Sequence, residues 1–117
     1  MSRQQARPTS ALCQLDEIPD GEARGFTLDA DGIRTEVFVV RKGAKAFGYI
    51  NSCPHAHWPL EFIDNQFMTL DKRHIQCVNH GAWFEIETGL CRGGPCAGKS
   101  LESFPVQLDR GWVIPGS

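Results

Sequence analysis

Two short segments of the chain each carry one cysteine and one histidine. Cys53 stands two positions before His55, and Cys77 stands three positions before His80. Thiolates and imidazoles at such spacings are ligands for metals that accept both sulfur and nitrogen. The pattern constrains the fold because both segments must become loops that meet around one centre. That centre is either one tetrahedral zinc or a two-iron cluster with cysteines on one iron and histidines on the other.

The pairing of ligands within each segment favours iron over zinc. Structural zinc loops usually place two like ligands close together, as C-x2-4-C or H-x3-5-H. Here each segment carries two unlike ligands. A lone cysteine is most often a small buried hydrophobe, but four potential ligands in this order are better explained as a metal site. A binding module stabilised by zinc, or by a cluster with no redox role, stays open as an alternative.

The flanking residues carry a family resemblance. Leu60 follows the first segment, Gly81 and Phe84 follow the second, and Gly94-Pro95 forms a later loop. With these flanks, residues 37–114 resemble the Rieske 2Fe-2S family. The resemblance implies one 2Fe-2S cluster per chain. It also implies that Cys53 and Cys77 bind one iron, and that His55 and His80 bind the other, more exposed iron.

The rest of the chain reads as all-β. Short runs of alternating apolar and polar residues are separated by turn residues, and helical periodicity is not sustained. Strands are predicted at 11–15, 24–28, 33–40, 46–50, 67–70, 74–77, 82–86, 101–108 and 112–114. Turns are predicted at 19–21, 31–32, 42–43, 71–73 and 109–111.

The domain organisation is predicted to be simple. Residues 1–10 read as a flexible tail, and residues 11–117 as a single domain. The resemblance implies a Rieske-type antiparallel β-sandwich with a small inserted cluster-binding subdomain, at about 51–98. With 117 residues and 41% hydrophobic content, one modest core is possible. A bound cluster would add folding stability that a domain of this size can use.

The resemblance also bears on the reduction potential. High-potential members join their ligand loops by a disulfide, at positions that are Trp58 and Asn79 here. They also place Ser and Tyr hydroxyls near the cluster, where this chain has Ala82 and Phe84. Fewer hydrogen-bond donors stabilise the reduced cluster less. The potential is therefore predicted near the low end of the Rieske range, at about −150 mV.

A low-potential Rieske protein of this size resembles the ferredoxins of bacterial multicomponent oxygenases. The resemblance implies a soluble electron carrier rather than an enzyme. An NAD(P)H-dependent flavoprotein reductase would supply single electrons, and a terminal oxygenase or another redox acceptor would receive them. The alternative is a non-catalytic Rieske-like small subunit or regulatory module of a larger redox enzyme.

The net charge bears on the class of partner, and the composition of residues 1–10 bears on the cellular location. The net charge of −2 shows no basic excess, so a nucleic-acid partner is not expected. Residues 1–10 contain two arginines with no apolar stretch behind them. Neither a signal peptide nor a membrane anchor is therefore predicted, and the expected location is the cytoplasm.

Several cysteines and histidines lie outside the predicted ligand set. Cys91 and Cys96 bracket the Gly94-Pro95 loop, which corresponds to the family's proline loop. They are expected to be reduced thiols, with a disulfide or a redox-sensing pair as alternatives.

Cys13 is expected in the core. His57 is expected to have a loop or docking role and His74 to be an ordinary strand residue. Residues 61–66 are a candidate partner-specific insertion.

Overall fold

The computed structural model describes residues 11–30, 32–54, 60, 65–77 and 81–116. Within these ranges the chain forms strands connected by turns, with one 3-10 turn at Leu15–Glu17. The strands are β1 (Cys13–Gln14), β2 (Ala23–Ala30), β3 (Ile33–Lys42), β4 (Lys45–Ile50), β5 (His74–Cys77), β6 (Ala82–Glu85), β7 (Cys91–Gly93), β8 (Val106–Asp109) and β9 (Trp112–Pro115).

The described strands form three antiparallel sheets of three strands each. Their orders are β1-β9-β8, β2-β3-β4 and β5-β6-β7. The β2-β3-β4 sheet is the central layer, because each of its faces contributes to a different apolar cluster. The β1-β9-β8 sheet covers one face, and the β5-β6-β7 sheet covers the other. This arrangement confirms the predicted all-β class.

Strand β3 explains why the middle layer is buried on both sides. Its residues Val37, Phe38, Val39 and Val40 are all 0% exposed. Phe38 and Val40 belong to the larger cluster, shared with β5, β6 and β7, whereas Val39 belongs to the smaller one, shared with β1 and β9. A run of apolar residues without alternation is what a strand buried on both faces requires. Ile33, at the start of the strand, is 68% exposed.

The turns between strands occur where the sequence predicts them. Glu22 donates its backbone N–H to the Pro19 carbonyl oxygen at 3.0 Å, which closes the 19–21 turn. Gly43 and Gly111 adopt positive φ angles of 62° and 86° in two of the other turns. In the 31–32 turn, Asp31 lies outside the described residues.

Several strand predictions need correction. The predicted strand at 11–15 is only Cys13–Gln14, because the chain turns into the 3-10 segment at Leu15. Residues 67–70 are not a strand, although their backbone is hydrogen-bonded to β5: Gln76 donates to the Phe67 carbonyl oxygen at 2.7 Å. Strand β7 was not predicted at all, because a three-residue Cys-Arg-Gly segment carries no periodic signal.

The predicted strand at 101–108 is divided in two by Pro105, which has no backbone N–H to donate. The first part runs beside β4, where Phe104 donates its N–H to the Gly48 carbonyl oxygen at 2.9 Å. The second part is β8, which pairs with β9. A Cβ on Gly48 would lie 2.3 Å from the Phe104 carbonyl oxygen, so only glycine permits this approach.

The contacts that fasten the β5-β6-β7 sheet and its connections to the central layer include a ring stack, an ion pair and a hydrogen bond. Phe38 stacks on Phe67, and Lys72 forms an ion pair with Glu22. The Asn65 side-chain oxygen accepts the Gly25 N–H at 2.8 Å. This last contact uses a residue of the candidate insertion, of which residues 61–64 lie outside the described residues. The subdomain limits of about 51–98 and the tail at 1–10 stay predictions.

Candidate metal centre

Cys53 and Cys77 lie in one apolar core although 24 positions separate them in the sequence. Cys53 follows the end of β4, and Cys77 is the last residue of β5. Both are 0% exposed and belong to the same cluster of buried residues. The fold thus places both predicted thiolate ligands in one buried core, away from water. His55 and His80 lie outside the described residues.

The first ligand loop is anchored on both sides of residues 55–59. Before it, Asn51 donates its backbone N–H to the Glu36 carbonyl oxygen at 2.8 Å. After it, Leu60 donates its N–H to the side-chain oxygen of Asn51 at 2.9 Å. Leu60 is itself 0% exposed, within the same cluster as Cys53. One asparagine therefore holds the two ends of the loop close together.

A backbone hydrogen bond closes the second ligand loop. Gly81 donates its N–H to the Cys77 carbonyl oxygen at 3.0 Å. The φ angle of Gly81 is 70°, and a Cβ placed there would meet nothing within 4 Å. Glycine is needed here for its backbone conformation rather than for space. Ala82 then pairs with Cys77 across β5 and β6.

The surroundings of the two cysteines are apolar. Leu60, Ala82 and Phe84 belong to the same buried cluster and are between 0% and 1% exposed. Among the described residues, no polar or charged residue is buried. An environment of this kind excludes water and lowers the local dielectric constant, which are two of the means by which a protein sets a cluster's potential.

The donor set fits a cluster with mixed ligands. Two buried sulfurs are supplied by the described residues, and two imidazoles are expected from the loops at 55 and 80. No group of three or more potential metal ligands occurs within the described parts of the chain, which contain neither of these two histidines. Thiolates are the required ligands of iron–sulfur clusters, and a Rieske centre replaces two of them by imidazoles.

A third loop covers the second cysteine from outside. At Gly94 the φ angle is 92°, and a Cβ there would lie 2.7 Å from the Ala82 Cα atom. Because Ala82 pairs with Cys77, this contact sets the loop directly over the ligand hairpin. The loop is closed by Lys99, which donates its N–H to the Cys96 carbonyl oxygen at 2.9 Å.

The two cysteines of this covering loop are free thiols, as expected. Cys91 is 2% exposed and Cys96 is 1% exposed. The Cys96 thiol donates to the Cys91 Sγ atom at 2.8 Å, and the Cys91 thiol donates to the Gly93 carbonyl oxygen at 3.1 Å. Burial is the main cause that raises the pKa of Cys96 to about 12, followed by the neighbouring Cys91 and then Cys53.

Predictions were also made for residues outside the proposed ligand set, and the structure describes only some of these residues. His74 begins β5 as an ordinary strand residue, and its ring meets the Trp83 ring edge-on at a centroid distance of 4.6 Å. Cys13 is buried in the smaller core cluster, as predicted. Trp58, Asn79 and His57 lie outside the described residues.

Two contacts of the site have no signal in the sequence. The Asn51 side chain that ties the first loop looks like an ordinary strand-end residue. The proximity of Cys96 to Cys53 joins residues that are 43 positions apart. A glycine-rich stretch after a predicted strand can suggest a close backbone approach, but it does not identify the residue that is approached.

Comparisons with known proteins agree with this centre. The family model described as the Rieske [2Fe-2S] domain matches residues 9–105. The biphenyl dioxygenase ferredoxin subunit of Pseudomonas sp. (strain KKS102) is 26% identical over 97 residues, covering 83% of this chain and 81% of the relative.

No helix in the described part of the chain is long and apolar enough to cross a membrane.

Solved structures of ferredoxins are also similar to this chain. The ferredoxin of carbazole 1,9a-dioxygenase from Nocardioides aromaticivorans IC177 superposes with a TM-score of 0.68 at 25% identity, covering 94% of this chain and 97% of that one. A chain in a complex of reduced oxygenase and oxidized ferredoxin in carbazole 1,9a-dioxygenase has a TM-score of 0.70 at 26% identity, with 90% and 89% covered. The chain belongs to the Rieske [2Fe-2S] domain family, whose members carry one 2Fe-2S cluster.

Proposed function

We propose that this chain is a ferredoxin that delivers single electrons to the terminal oxygenase of a dioxygenase system and has no catalytic activity of its own. One observation carries the proposal: the buried pair of Cys53 and Cys77 occurs in a chain that matches ferredoxins over almost their whole length. One relative and one solved structure are ferredoxins of dioxygenase systems, and a second solved structure is a complex of an oxygenase and a ferredoxin.

The ligand assignment is part of the proposal. Cys53 and Cys77 would hold one iron on the buried side, and His55 and His80 would hold the other. When bound, the cluster supplies reversible one-electron chemistry. The chain's own contribution is to close two loops through Asn51 and Gly81 and to keep water from the sulfurs.

The electron donor is proposed to be an NAD(P)H-dependent flavoprotein reductase. Support comes from the family resemblance and from the dioxygenase systems to which the relatives belong.

The proposed location is the cytoplasm. Cys91 and Cys96 are reduced thiols, which is the form that a reducing compartment maintains. A small subunit of a larger redox enzyme is less well supported, because these matches cover 81% and 97% of separate ferredoxin chains.

The first experiment tests the centre itself. Protein purified without oxygen is analysed for iron and acid-labile sulfide, and its EPR spectrum is recorded before and after dithionite. We expect two irons and two sulfides per chain and a signal only after reduction. A colourless protein with one zinc per chain would overturn the proposal.

Substitutions then test each ligand against a matched control. Cys53→Ala, Cys77→Ala, His55→Ala and His80→Ala should each abolish the EPR signal of the reduced protein. His57→Ala, His74→Ala and Cys13→Ala change residues of the same types outside the proposed ligand set, and each should keep it. Loss of the signal in His57→Ala together with its retention in His55→Ala would contradict the assignment.

Electron transfer is tested with defined components. The dithionite-reduced protein is mixed in a stopped-flow instrument with the oxidised oxygenase of a carbazole 1,9a-dioxygenase system. Oxidation of the chain at a rate that increases with oxygenase concentration is the expected result. The Cys77→Ala variant serves as the control. An intact cluster that exchanges no electrons with this oxygenase, or with that of a biphenyl dioxygenase, would argue against the ferredoxin role.

A further inference from the structure

The hairpin of β5 and β6 carries apolar side chains on the face that is turned away from the core. Residues of both strands alternate between a buried face and this outer face. On the outer face Trp83 pairs in register with Gln76, and its ring meets the His74 ring edge-on at 4.6 Å. Trp83 is 36% exposed, and Leu70, in the segment that leads into β5, is fully exposed. These four residues are called the outer patch below.

The outer patch borders an open groove of about 480 Å³, which Thr69 and Asp71 also line. Single apolar side chains on a protein surface are common, but apolar side chains grouped around a groove are typical of a contact site for another protein. The groove is large enough to receive an apolar side chain of a partner. Leu70 and Trp83 would be the apolar surfaces that such a side chain contacts.

Leu70 is presented by a turn that hydrogen bonds hold in one shape. The Thr69 carbonyl oxygen accepts the Lys72 N–H at 2.9 Å, and the Thr69 hydroxyl donates to the Asp71 carboxylate at 2.7 Å. The same carboxylate oxygen accepts the Arg73 N–H at 3.0 Å. A segment that is already ordered loses little conformational entropy when a partner binds. The turn therefore makes Leu70 a suitable anchor for a short-lived contact.

The outer patch adjoins the elements that would hold the cluster. Gln76 and Trp83 are each one residue away from the pair formed by Cys77 and Ala82. A Cβ on Gly93 would overlap the Trp83 ring, so this ring lies on the backbone at the end of β7, where the covering loop begins. A protein bound to the outer patch would therefore contact the same hairpin that carries the second thiolate.

The charges beside the outer patch indicate what a partner must supply. Ion pairs join Lys72 to Glu22 and Arg92 to Glu85. Asp71 is engaged within the turn. Arg73 is exposed and forms no ion pair with any residue that the structure describes. A complementary surface thus presents a carboxylate to Arg73 beside an apolar side chain for the groove.

We propose that the terminal oxygenase docks on the outer patch, with an apolar side chain in the groove beside Leu70 and Trp83 and a carboxylate paired with Arg73. The inference rests on the proposed function. A chain similar to this one occurs in a complex of an oxygenase and a ferredoxin. One apolar anchor and one charge pair suit a transient electron-transfer encounter, which typically buries less than about 1,200 Å². The carrier can then leave quickly and be reduced again.

The apolar part of the proposal is tested by the rate of electron transfer. The dithionite-reduced, cluster-loaded chain is mixed in a stopped-flow instrument with the oxidised oxygenase of carbazole 1,9a-dioxygenase. Leu70→Ala should lower the second-order rate constant about fivefold, and Leu70→Glu about tenfold or more, because a charge then faces the groove. Ile33→Ala and Ile33→Glu are the matched controls. Ile33 is also an exposed apolar residue but begins β3, and both variants should react at the original rate.

The charged part of the proposal is tested by salt dependence. Arg73→Glu should slow the transfer at low ionic strength and flatten its dependence on added salt, because attraction to the partner's carboxylate becomes repulsion. Arg34→Glu changes the net charge equally at an exposed position of β3 and should have a much smaller effect. Iron content and midpoint potential should be the same in all these variants, so a slower reaction reports docking.

Hydrogen exchange locates the contact without relying on electron transfer. In a mixture of the chain with the oxidised oxygenase, the amides of residues 69–74 should exchange more slowly than in the chain alone. The amides of the turn at Gly32, next to the control residues, should exchange at the same rate in both samples. Protection that is found only outside the outer patch would overturn the inference.

The outcomes separate this inference from the proposed function. Equal rate constants for Leu70→Glu, Arg73→Glu and the unaltered chain would overturn the docking site and leave the ferredoxin role standing. No electron transfer from the unaltered chain would overturn the proposed function and this inference with it. A dimer of the chain alone that Leu70→Glu dissociates would place a second copy on the outer patch. Slower reduction of the variants by a flavoprotein reductase, with unchanged transfer to the oxygenase, would place the reductase there. Either result would overturn the inference.

Discussion

The rings of Phe38 and Phe67 stack with their centroids 4.4 Å apart and their planes only 9° from parallel. Phe38 belongs to the central sheet, and Phe67 belongs to the segment that leads into β5 and so to Cys77. Both side chains are 0% exposed. This contact ties the position of the second thiolate loop to the packing of the central sheet.

Removal of the Phe67 ring should therefore affect both the stability of the protein and the metal centre. Phe67→Ala is expected to reduce the free energy of unfolding by about 3–5 kcal/mol, the usual result of deleting a buried aromatic ring. It should also lower the iron content per chain. Leu70→Ala is the matched control, because Leu70 follows in the same segment but is fully exposed. Normal iron content in Phe67→Ala would show that the loop is held independently of this stack.

Asn51 provides a test of how the first ligand loop is held. In Asn51→Ala the Leu60 N–H loses its acceptor in an apolar setting, which costs about 1–3 kcal/mol. Loss of iron to a chelator, followed by the decay of visible absorbance, should become faster. Asn51→Asp retains an oxygen acceptor at the same place and should release iron at close to the original rate. Equal rates in the alanine variant and the unaltered protein would refute this role of Asn51.

The alkaline behaviour of Tyr49 follows from its burial. Its hydroxyl donates to the Ile86 carbonyl oxygen at 2.6 Å. Burial, with a smaller effect of the Glu87 charge, raises the pKa of Tyr49 from 10.0 to about 12. The neutral form is favoured by folding, so this contribution to stability is complete below pH 10 and is lost as the pH rises toward 12. The slope in that interval is about 1.4 kcal/mol per pH unit.

Tyr49 is the only tyrosine of the chain, so its ionisation can be followed directly. Ultraviolet difference spectra, with Tyr49→Phe as the reference, should place the titration midpoint near 12 for the folded protein. Unfolding in urea at pH 9 and pH 11 should show a smaller loss of stability for Tyr49→Phe than for the unaltered protein. A midpoint at the ordinary tyrosine value would mean that the hydroxyl reaches water.

The reduction potential offers a further prediction. Ala82 and Phe84 are buried on β6, beside Cys77 and Ile75 of the neighbouring strand. With no hydroxyl at either position, the potential should be about −150 mV. Ala82→Ser and Phe84→Tyr each add a donor and should raise it.

Trp83 supplies the control for this pair. It lies between Ala82 and Phe84 on the same strand, so its side chain points to the opposite face, and it is 36% exposed. Trp83→Phe should therefore leave the midpoint potential nearly unchanged. A potential well above zero in the unaltered protein would contradict the argument from missing donors, whatever the substitutions show.

What the sequence by itself determined is the chemistry of the centre and the class of the fold. The spacing of Cys53 to His55 and of Cys77 to His80 is local, so it predicts two ligand loops without any knowledge of packing. The turn residues and the alternating runs likewise predict most strands, because turn formation and strand periodicity are properties of a few adjacent residues.

Only the tertiary structure decided which distant residues serve the centre. Asn51 reaches Leu60 across the first ligand loop, and Cys96 lies against Cys91. These relations depend on how the sheets pack and on how closely Gly94 approaches Ala82. Such contacts leave no periodic or compositional trace in the chain. Strand β7 escaped prediction for the same reason, because its pairing with β6 rather than its own three residues makes it a strand.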